Sequence, residues 1–154
     1  MTEPTVQTCL WLDDNALEAA QTWARVVPGT RIVHVFPQRG APDKAFLVHI
    51  EIQGQRFTLL NGGPHYKLTP AASIEVHLET QAEVDALWEA LLDGGTPSRC
   101  GWLTDRFGVS WQIIPRALIR LMQSPDDAVA GRVLAAMMQM VKLYAPALEA
   151  GSKG

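Results

Sequence analysis

Glu75 and His77 are the two residues of this sequence whose types and spacing could transfer a proton. Between Ser73 and Glu79, polar residues alternate with apolar ones, which is the period of a β-strand with one buried face. Ser73, Glu75 and His77 therefore share the other face, where a carboxylate could orient an imidazole that acts as a base near pH 7. The alternative is a solvated or hydrogen-bonded histidine at the end of a strand.

The other histidines and the two cysteines offer less chemistry. His34 and His49 lie in strand-like segments and His65 lies in a loop, and no two histidines have the close spacing of a helical or hairpin metal motif. Cys9 and Cys100 lack a nearby basic residue or helix N-terminus that would stabilise a thiolate. We expect both cysteines to be buried, reduced and inert, without a disulfide bond.

Two further residues could contact a small molecule. Trp11 shares a strand face with Gln7 and Cys9, so its ring could stack on a flat organic ligand or could fill the interior of the fold. Asn61 ends a strand beside Gly62–Gly63. Its amide could face a ligand or could cap the turn.

A repeated unit carries these residues. Four positions recur 65 residues later, so that Asn15, Glu18, Trp23 and Gly29 correspond to Thr80, Glu83, Trp88 and Gly94. Each set marks a helix with a capping-box start and a glycine at its end, and each helix follows a strand-like segment and precedes others. The sequence therefore predicts an α+β fold of tandem βαβββ modules.

We predict a single domain over residues 1–154, with one module at about 5–63, a second at about 71–115 and a helical tail at about 117–143. The strands of the first module are predicted at Val6–Leu12, Thr30–Pro37, Ala45–Gln53 and Gln55–Asn61. Those of the second are predicted at Ser73–Glu79, Gly101–Asp105 and Val109–Ile114. Asp105 begins the turn between the last two strands, and we expect it to have a structural role.

Composition excludes several classes of partner. The chain has 154 residues, 47% of them hydrophobic, and a formal net charge of -3 with scattered basic residues. It lacks a basic patch for nucleic acid, and it has no uncharged stretch of roughly 20 residues that could cross a membrane. Residues 1–20 contain no basic segment followed by an apolar run. We therefore expect a cytoplasmic protein that binds neither nucleic acid nor membrane.

Three segments resemble the signatures of one family: Phe57–Pro64 (FTLLNGGP), Glu79–Trp88 (ETQAEVDALW) and Cys100–Pro115 (CGWLTDRFGVSWQIIP). The family is labelled 3-demethylubiquinone-9 3-methyltransferase and is a glyoxalase/bleomycin-resistance-like branch of the vicinal oxygen chelate superfamily. The resemblance covers about residues 5–143. It implies paired βαβββ modules whose sheets curl into an open cup, usually completed in a homodimer.

The resemblance also implies a metal site that the residues of this chain do not match. The superfamily uses a divalent metal with one ligand from each of four strands, usually His or Glu. Placed on this sequence, the four positions lie near Gln7, Thr58, Ser73 and Gln112. Neutral amide and hydroxyl oxygens bind Zn²⁺ or Ni²⁺ weakly, although Gln112 could coordinate in place of a glutamate. We therefore predict no metal ligands and no cofactor.

The methyltransferase label is not supported by a binding motif for S-adenosylmethionine. No strand is followed by a glycine-rich turn that opens a helix, as a dinucleotide-type fold needs. The glycines lie instead at helix ends and hairpins.

Two hypotheses of different class remain. The first is a glyoxalase-like protein that binds an aromatic or apolar small molecule without altering it, through Gln7, Trp11, Thr58, Asn61, Ser73 and Gln112. The second is an enzyme of the vicinal oxygen chelate type, lyase-, isomerase- or dioxygenase-like, with a divergent site. It would use Glu75 or His77 as a base, and Gln112 or Asn61 to polarise an oxygen.

Overall fold

The computed structural model describes residues 3–154, so the first two residues of the predicted domain lie outside it. The chain forms two compact units, one up to Leu68 and one from Thr69 to Gly154. The assignment of both units to a single domain stays a prediction.

The first unit confirms the predicted βαβββ order. Its elements are β1 (Thr8–Leu12), α1 (Ala16–Val26), β2 (Thr30–Gln38), β3 (Ala41–Ile52) and β4 (Gln55–Asn61). The four strands form one sheet in the order β1-β4-β3-β2, in which β1 is parallel to β4 and the other pairs are antiparallel. Strand β3 begins four residues earlier than predicted, because its N-terminal part pairs with the end of β2 in a long hairpin.

Helix α1 covers one face of this sheet. Its buried residues are Ala16, Ala19, Ala20 and Trp23, as the helical period requires. They share the core with alternate strand residues such as Val48, Ile50 and Leu59, each fully buried. Small alanines let the helix backbone approach the sheet closely, and Trp23 fills the remaining space.

The predicted capping box of α1 does not form. Asn15 is at the N-cap position, but its side chain makes no capping hydrogen bond. The backbone N–H of Ala16 donates instead to Oδ1 of Asn61 at the end of β4, at 2.9 Å. The helix start is therefore tied to the sheet by a residue 45 positions away.

The second unit repeats the same order and adds a helical tail. Its elements are β5 (Ile74–Leu78), α2 (Gln81–Leu92), β6 (Thr96–Pro97), β7 (Trp102–Thr104), β8 (Ser110–Pro115), α3 (Arg116–Met122), α4 (Asp127–Met137) and α5 (Ala145–Lys153). The sheet order is β5-β8-β7-β6, with β5 parallel to β8. The predicted capping box of α2 is confirmed, since the side chains of Thr80 and Glu83 each accept a hydrogen bond from the other's backbone N–H.

Asp105 holds the β7–β8 hairpin together. The residue is 5% exposed, and its Oδ1 accepts hydrogen bonds from the backbone N–H groups of Phe107 and Val109. Its Oδ2 accepts from the indole Nε1 of Trp111, at 2.9 Å, and Trp111 is fully buried. The structural role expected for Asp105 is confirmed in this geometry.

The tail differs from its prediction. The helix expected to continue to residue 143 ends at Met137, and α5 follows where no helix was predicted. Between them the carbonyl oxygens of Met140 and Val141 accept hydrogen bonds from the backbone of Cys100 and Gly101. These bonds draw the chain out of the helical path and onto the turn before β7.

A separate apolar cluster anchors the tail to the second unit. It is formed by the buried residues Ile114, Leu118, Val133, Leu143 and Leu148. The side chain of Gln81 reinforces it, because it donates to the carbonyl of Leu143 and accepts from the N–H of Ala145. Among residues 3–154, no helix is long and apolar enough to cross a membrane.

The ion pair between Asp85 of α2 and Lys142 of the tail should make stability depend on pH. Nζ of Lys142 lies 2.8 Å from Oδ1 of Asp85, and this hydrogen bond is the largest cause that lowers the pKa of Asp85. A lowered carboxyl pKa in the folded state stabilises the fold above the unfolded-state value, and the gain is lost as the pH falls through the folded-state pKa.

We therefore expect Asp85→Asn to reduce the free energy of unfolding by about 0.5 kcal/mol at neutral pH, since both side chains are partly exposed. The difference should shrink as the pH falls through the lowered folded-state pKa of Asp85, where the wild-type carboxylate becomes protonated. Urea unfolding across this range measures it. Asp93→Asn at the other end of α2 is the matched control, and a deficit of Asp85→Asn that persists unchanged in acid would contradict the assignment.

Replacing Trp111 by phenylalanine should destabilise the second unit through Asp105. The variant removes one N–H donor and leaves a buried carboxylate oxygen without that partner, which costs about 2 kcal/mol. Chemical denaturation measures the loss. Trp102→Phe is the control, because Trp102 lies on the partly exposed face of β7; equal losses in the two variants would show that ring size and not the hydrogen bond is responsible.

Candidate functional site

Of the predicted site residues, Gln7, Trp11 and Thr58 lie on the face of the first sheet opposite α1. Paired positions place Cys9, Thr58, His49 and His34 in one row across β1, β4, β3 and β2. Nε2 of Gln7 donates to Oγ1 of Thr58 at 2.9 Å and lies 3.3 Å from Nε2 of His49. The structure therefore brings together Gln7 and Thr58, two of the four positions predicted from the family's metal site.

The pair formed by His34 and His49 was missed at the sequence level. The two residues are directly opposite each other on β2 and β3, and the ring of Phe36 contacts both, with centroids 4.4 Å from His34 and 4.8 Å from His49. A register shift between Ile32 and His34 produces this pairing. The hairpin pattern indicated that β2 and β3 pair, but only the position of the bulge decides which residues face each other.

The prediction that Cys9 is buried is wrong. Cys9 is exposed, because it alternates with the buried Leu10 and so lies on the face away from α1. Partial burial raises the pKa of its thiol, which keeps the neutral, weakly nucleophilic form dominant at pH 7. The expectation that Cys9 is inert therefore rests on the raised pKa of its thiol and not on full burial of the side chain. Both cysteines are free, as expected.

Trp11 lies on the same face, with its ring held in one place. Its indole Nε1 donates to the carbonyl oxygen of Gly63 at 2.9 Å, and its ring meets Tyr66 edge to face with centroids 4.9 Å apart. A Cβ atom on Gly62 would lie 2.3 Å from the indole, so only glycine fits there. The loop after β4 thus fixes the orientation of a half-buried aromatic ring beside an exposed one.

The amide of Asn61 serves the fold. Its Oδ1 accepts from the N–H of Ala16 and its Nδ2 donates to the carbonyl of Ala45, each at 2.9 Å. These two bonds join α1, β3 and β4. The amide of Asn61 therefore has the structural role of the two that were considered. The residue also lines a cavity at the end of the β2–β3 hairpin.

The second sheet brings the other predicted residues onto one face. Nε2 of Gln112 donates to Oγ of Ser73 at 2.9 Å, and Gln112 is paired with Glu75 on β5 and with Trp102 on β7. His77 is hydrogen-bonded to Glu75, and both side chains are exposed. The imidazole and carboxylate predicted to act together are therefore in contact, with Gln112 next to Glu75 across the sheet.

The four predicted metal positions form two hydrogen-bonded pairs, Gln7 with Thr58 and Ser73 with Gln112. In each pair the hydroxyl oxygen accepts a hydrogen bond from the amide nitrogen, and none of the four side chains offers an anionic or imidazole donor to a metal. In the described part of the chain, no three His, Cys, Asp or Glu side chains are grouped so that they could hold a metal ion. These residues do not fit a tightly held transition ion.

A cavity of about 630 Å³ lies at the far end of the β2–β3 hairpin in the first unit. Its walls include Phe36, Pro37, Gln38, Arg39, Phe46 and Asn61. This volume is in the range of sites that hold small organic molecules.

Comparison with known proteins identifies the fold. The family described as 3-demethylubiquinone-9 3-methyltransferase matches residues 4–114, so that α3, α4 and α5 lie beyond the match. The PhnB protein from Bacillus cereus superposes with a TM-score of 0.65 and 23% identity, over 73% of this chain and 99% of its own. Protein PA1353 from Pseudomonas aeruginosa superposes with a TM-score of 0.62 and 20% identity, over 73% of this chain and 98% of its own.

A mutant of the fosfomycin resistance protein FosX from Listeria monocytogenes is a more distant structural relative. Its complex with Mn(II) and 1S,2S-dihydroxypropylphosphonic acid superposes with a TM-score of 0.53 and 14% identity, over 72% of this chain and 90% of its own. At these identities the three structures show a shared fold and no shared activity. No curated protein has significant sequence similarity to the chain.

Gly62→Ala should displace Trp11 and destabilise the first unit. The added methyl group would overlap the indole, and relief of such crowding costs about 1–3 kcal/mol. Urea unfolding measures the loss, and the indole N–H resonance of Trp11 should shift. Gly131→Ala in α4 is the control, since its Cβ meets nothing within 4 Å and should stabilise the helix slightly. A Gly62 variant as stable as the wild type would contradict the packing.

Proposed function

The chain belongs to the family described as 3-demethylubiquinone-9 3-methyltransferase, in the vicinal oxygen chelate superfamily, and we propose that it is a glyoxalase-like small-molecule binding protein that has lost the superfamily's metal site. Its ligand is an aromatic or apolar organic compound. The chain encloses this compound without altering it.

The hydrogen bonds within the two pairs of neutral side chains carry this proposal. A divalent ion would have to compete for oxygens that already bond to an amide N–H, at Thr58 with Gln7 and at Ser73 with Gln112. It would gain no charge-assisted bond in return, because affinity for Zn²⁺ or Ni²⁺ comes from imidazole, thiolate or carboxylate donors. A sheet face whose hydroxyl oxygens are already hydrogen-bonded suits an uncharged or weakly polar ligand.

The aromatic residues of the first unit support an aromatic or apolar ligand. Trp11 with Tyr66, and Phe36 between two histidines, present ring faces and edges on the side of the sheet away from α1. Rings that are already fixed lose little conformational freedom when a ligand binds. Offset or edge-on contacts with such rings add to the gain from burying apolar area.

The methyltransferase function in the family's description finds no support in the glycine positions of this chain. Gly29 and Gly94 follow helices and Gly54 forms a hairpin, and all three have positive φ angles that these turns require. None opens a helix after a strand, which is where a nucleotide-type cofactor is bound in dinucleotide-type folds.

A second candidate function is an enzyme of the vicinal oxygen chelate type with a divergent site. The hydrogen bond between His77 and Glu75, with Gln112 paired to Glu75, favours it. Glu75 would orient the imidazole, His77 would take a proton from a carbon acid, and the amide of Gln112 would donate to the oxygen that gains charge. The side chains of His77 and Glu75 are both exposed to solvent.

A homodimer in the cytoplasm completes the proposal. Exposed apolar side chains of the tail support association: Leu134, Met138, Val141 and Tyr144 are each between 43% and 52% exposed. Among the methionines of the tail, Met138 is exposed, whereas Met137 and Met140 pack against the apolar cluster. Sedimentation of the purified protein tests the dimer.

Titration with divalent metals tests the proposed loss of the metal site. We expect Zn²⁺, Ni²⁺ and Mn²⁺ to show no stoichiometric, tight binding by calorimetry, and elemental analysis of the purified protein to find less than one metal per chain. A double variant of the second unit, Ser73→His and Gln112→Glu, should bind Zn²⁺ at least about tenfold more tightly, because it places an imidazole and a carboxylate at two side chains that are in contact. Tight binding by the wild type would refute the proposal and favour the enzyme.

A thermal-shift screen with quinones and aromatic antibiotics tests the binding function itself. A ligand should raise the melting temperature by an amount that increases with the logarithm of its concentration once that concentration exceeds Kd. Trp11→Ala should weaken the binding of that ligand. Trp102→Ala, on the second sheet, is the comparison. Conversion of any screened compound to product by the wild type, and its loss in His77→Gln, would establish the second candidate instead.

A further inference from the structure

The cavity at the end of the β2–β3 hairpin combines apolar walls with polar side chains and a positively charged residue. Phe36, Pro37 and Phe46 supply apolar surface, and Arg39 is the one charged residue that lines it within the described chain. Phe46 is 49% exposed although it adjoins Leu47 and Val48 in the sheet. An aromatic side chain left half in water beside an open cavity gains free energy when a ligand covers it.

Phe36 is held rigid on its other side. Its ring meets those of His34 and His49 edge to face, at interplanar angles of 72° and 67°, and His49 is in turn in contact with Gln7. These contacts restrict the Phe36 ring while the cavity is empty. Pre-organised walls reduce the entropy that a ligand must overcome when it binds.

The polar groups of the cavity are unequal in what they offer a ligand. The amide of Asn61 is already bonded at both ends, to Ala16 and Ala45. Arg39 is exposed and forms no ion pair or side-chain hydrogen bond within residues 3–154, unlike Arg31 on the same hairpin, which pairs with Glu51 at 3.1 Å. A guanidinium without a protein carboxylate has donors free to bind a planar anion in bidentate geometry.

We propose that this cavity binds a small organic anion whose flat apolar body lies against Phe36 and Phe46 and whose carboxylate pairs with Arg39. The inference rests on the proposed small-molecule binding function and narrows its ligand to an aromatic or similarly flat carboxylate. It places that ligand on the hairpin end of the first unit. The neutral pairs on the sheets are not needed for its recognition.

Calorimetry with three matched compounds tests the ligand class. 1-Naphthoate, naphthalene-1-methanol and 1-naphthylmethylammonium share a ring system and differ in charge. We expect 1-naphthoate to bind at least about tenfold more tightly than the alcohol, and the ammonium compound most weakly. Equal affinity for the three would overturn the inference.

Variants locate the site. Arg39→Gln should abolish the preference for naphthoate over the alcohol, whereas Arg99→Gln, an exposed arginine of the second unit with the same change in net charge, should keep it. Phe46→Ala should weaken the binding of all three compounds alike. Circular dichroism of each variant tests whether it is folded. Wild-type affinity in Arg39→Gln, or equal losses in the two arginine variants, would refute the assignment.

The outcomes separate this inference from the function on which it rests. If neutral quinones bind in the thermal-shift screen and naphthoate does not, the anion site is wrong and the binding function stands. If no compound in either series binds, both fail. If Phe46→Ala changes the sedimentation of the protein and leaves naphthoate binding intact, the wall is a contact between subunits and the inference is overturned.

Discussion

The parallel pairing of the first and last strands within each unit is the constraint on which the site depends. Strand β1 lies beside β4, and strand β5 lies beside β8. Helix α1 covers one face of the first sheet, and helix α2 covers one face of the second. Because side chains alternate across a strand, this arrangement places Gln7 next to Thr58 and Gln112 next to Ser73 on the uncovered faces. The same faces carry His49 beside Gln7, and Glu75 with His77 beside Gln112.

The four positions in these pairs carry neutral side chains. In each pair an amide N–H donates to a hydroxyl oxygen, so the two side chains are held together without a cation. The packing beneath, from Val48, Ile50 and Trp111, does not involve those positions. The core of the fold is therefore independent of the residues at these four positions.

The tail shows how an addition to a domain is held by backbone and core together. The family match ends at Ile114, and Ile114 itself belongs to the cluster that buries Leu118, Leu143 and Leu148. The carbonyls of Met140 and Val141 then bond to the turn at Cys100 and Gly101, where a Cβ on Gly101 would lie 2.9 Å from the Leu143 side chain. The segment between α4 and α5 therefore packs closely against a glycine in the turn before β7.

Local and periodic features of this protein were determined by its sequence alone: the 65-residue repeat, the alternation of the strands, the Thr80–Glu83 cap, the turn at Asp105 and the family. Each depends on residues close in the chain or on a period that burial enforces. Only the tertiary structure decided that His34 faces His49 across a bulge, that Cys9 is exposed, that Asn61 caps α1 in place of Asn15, and that the tail turns at Met137. Those outcomes depend on strand register and on hydrogen bonds between distant residues, which a one-residue shift would change without altering any local pattern.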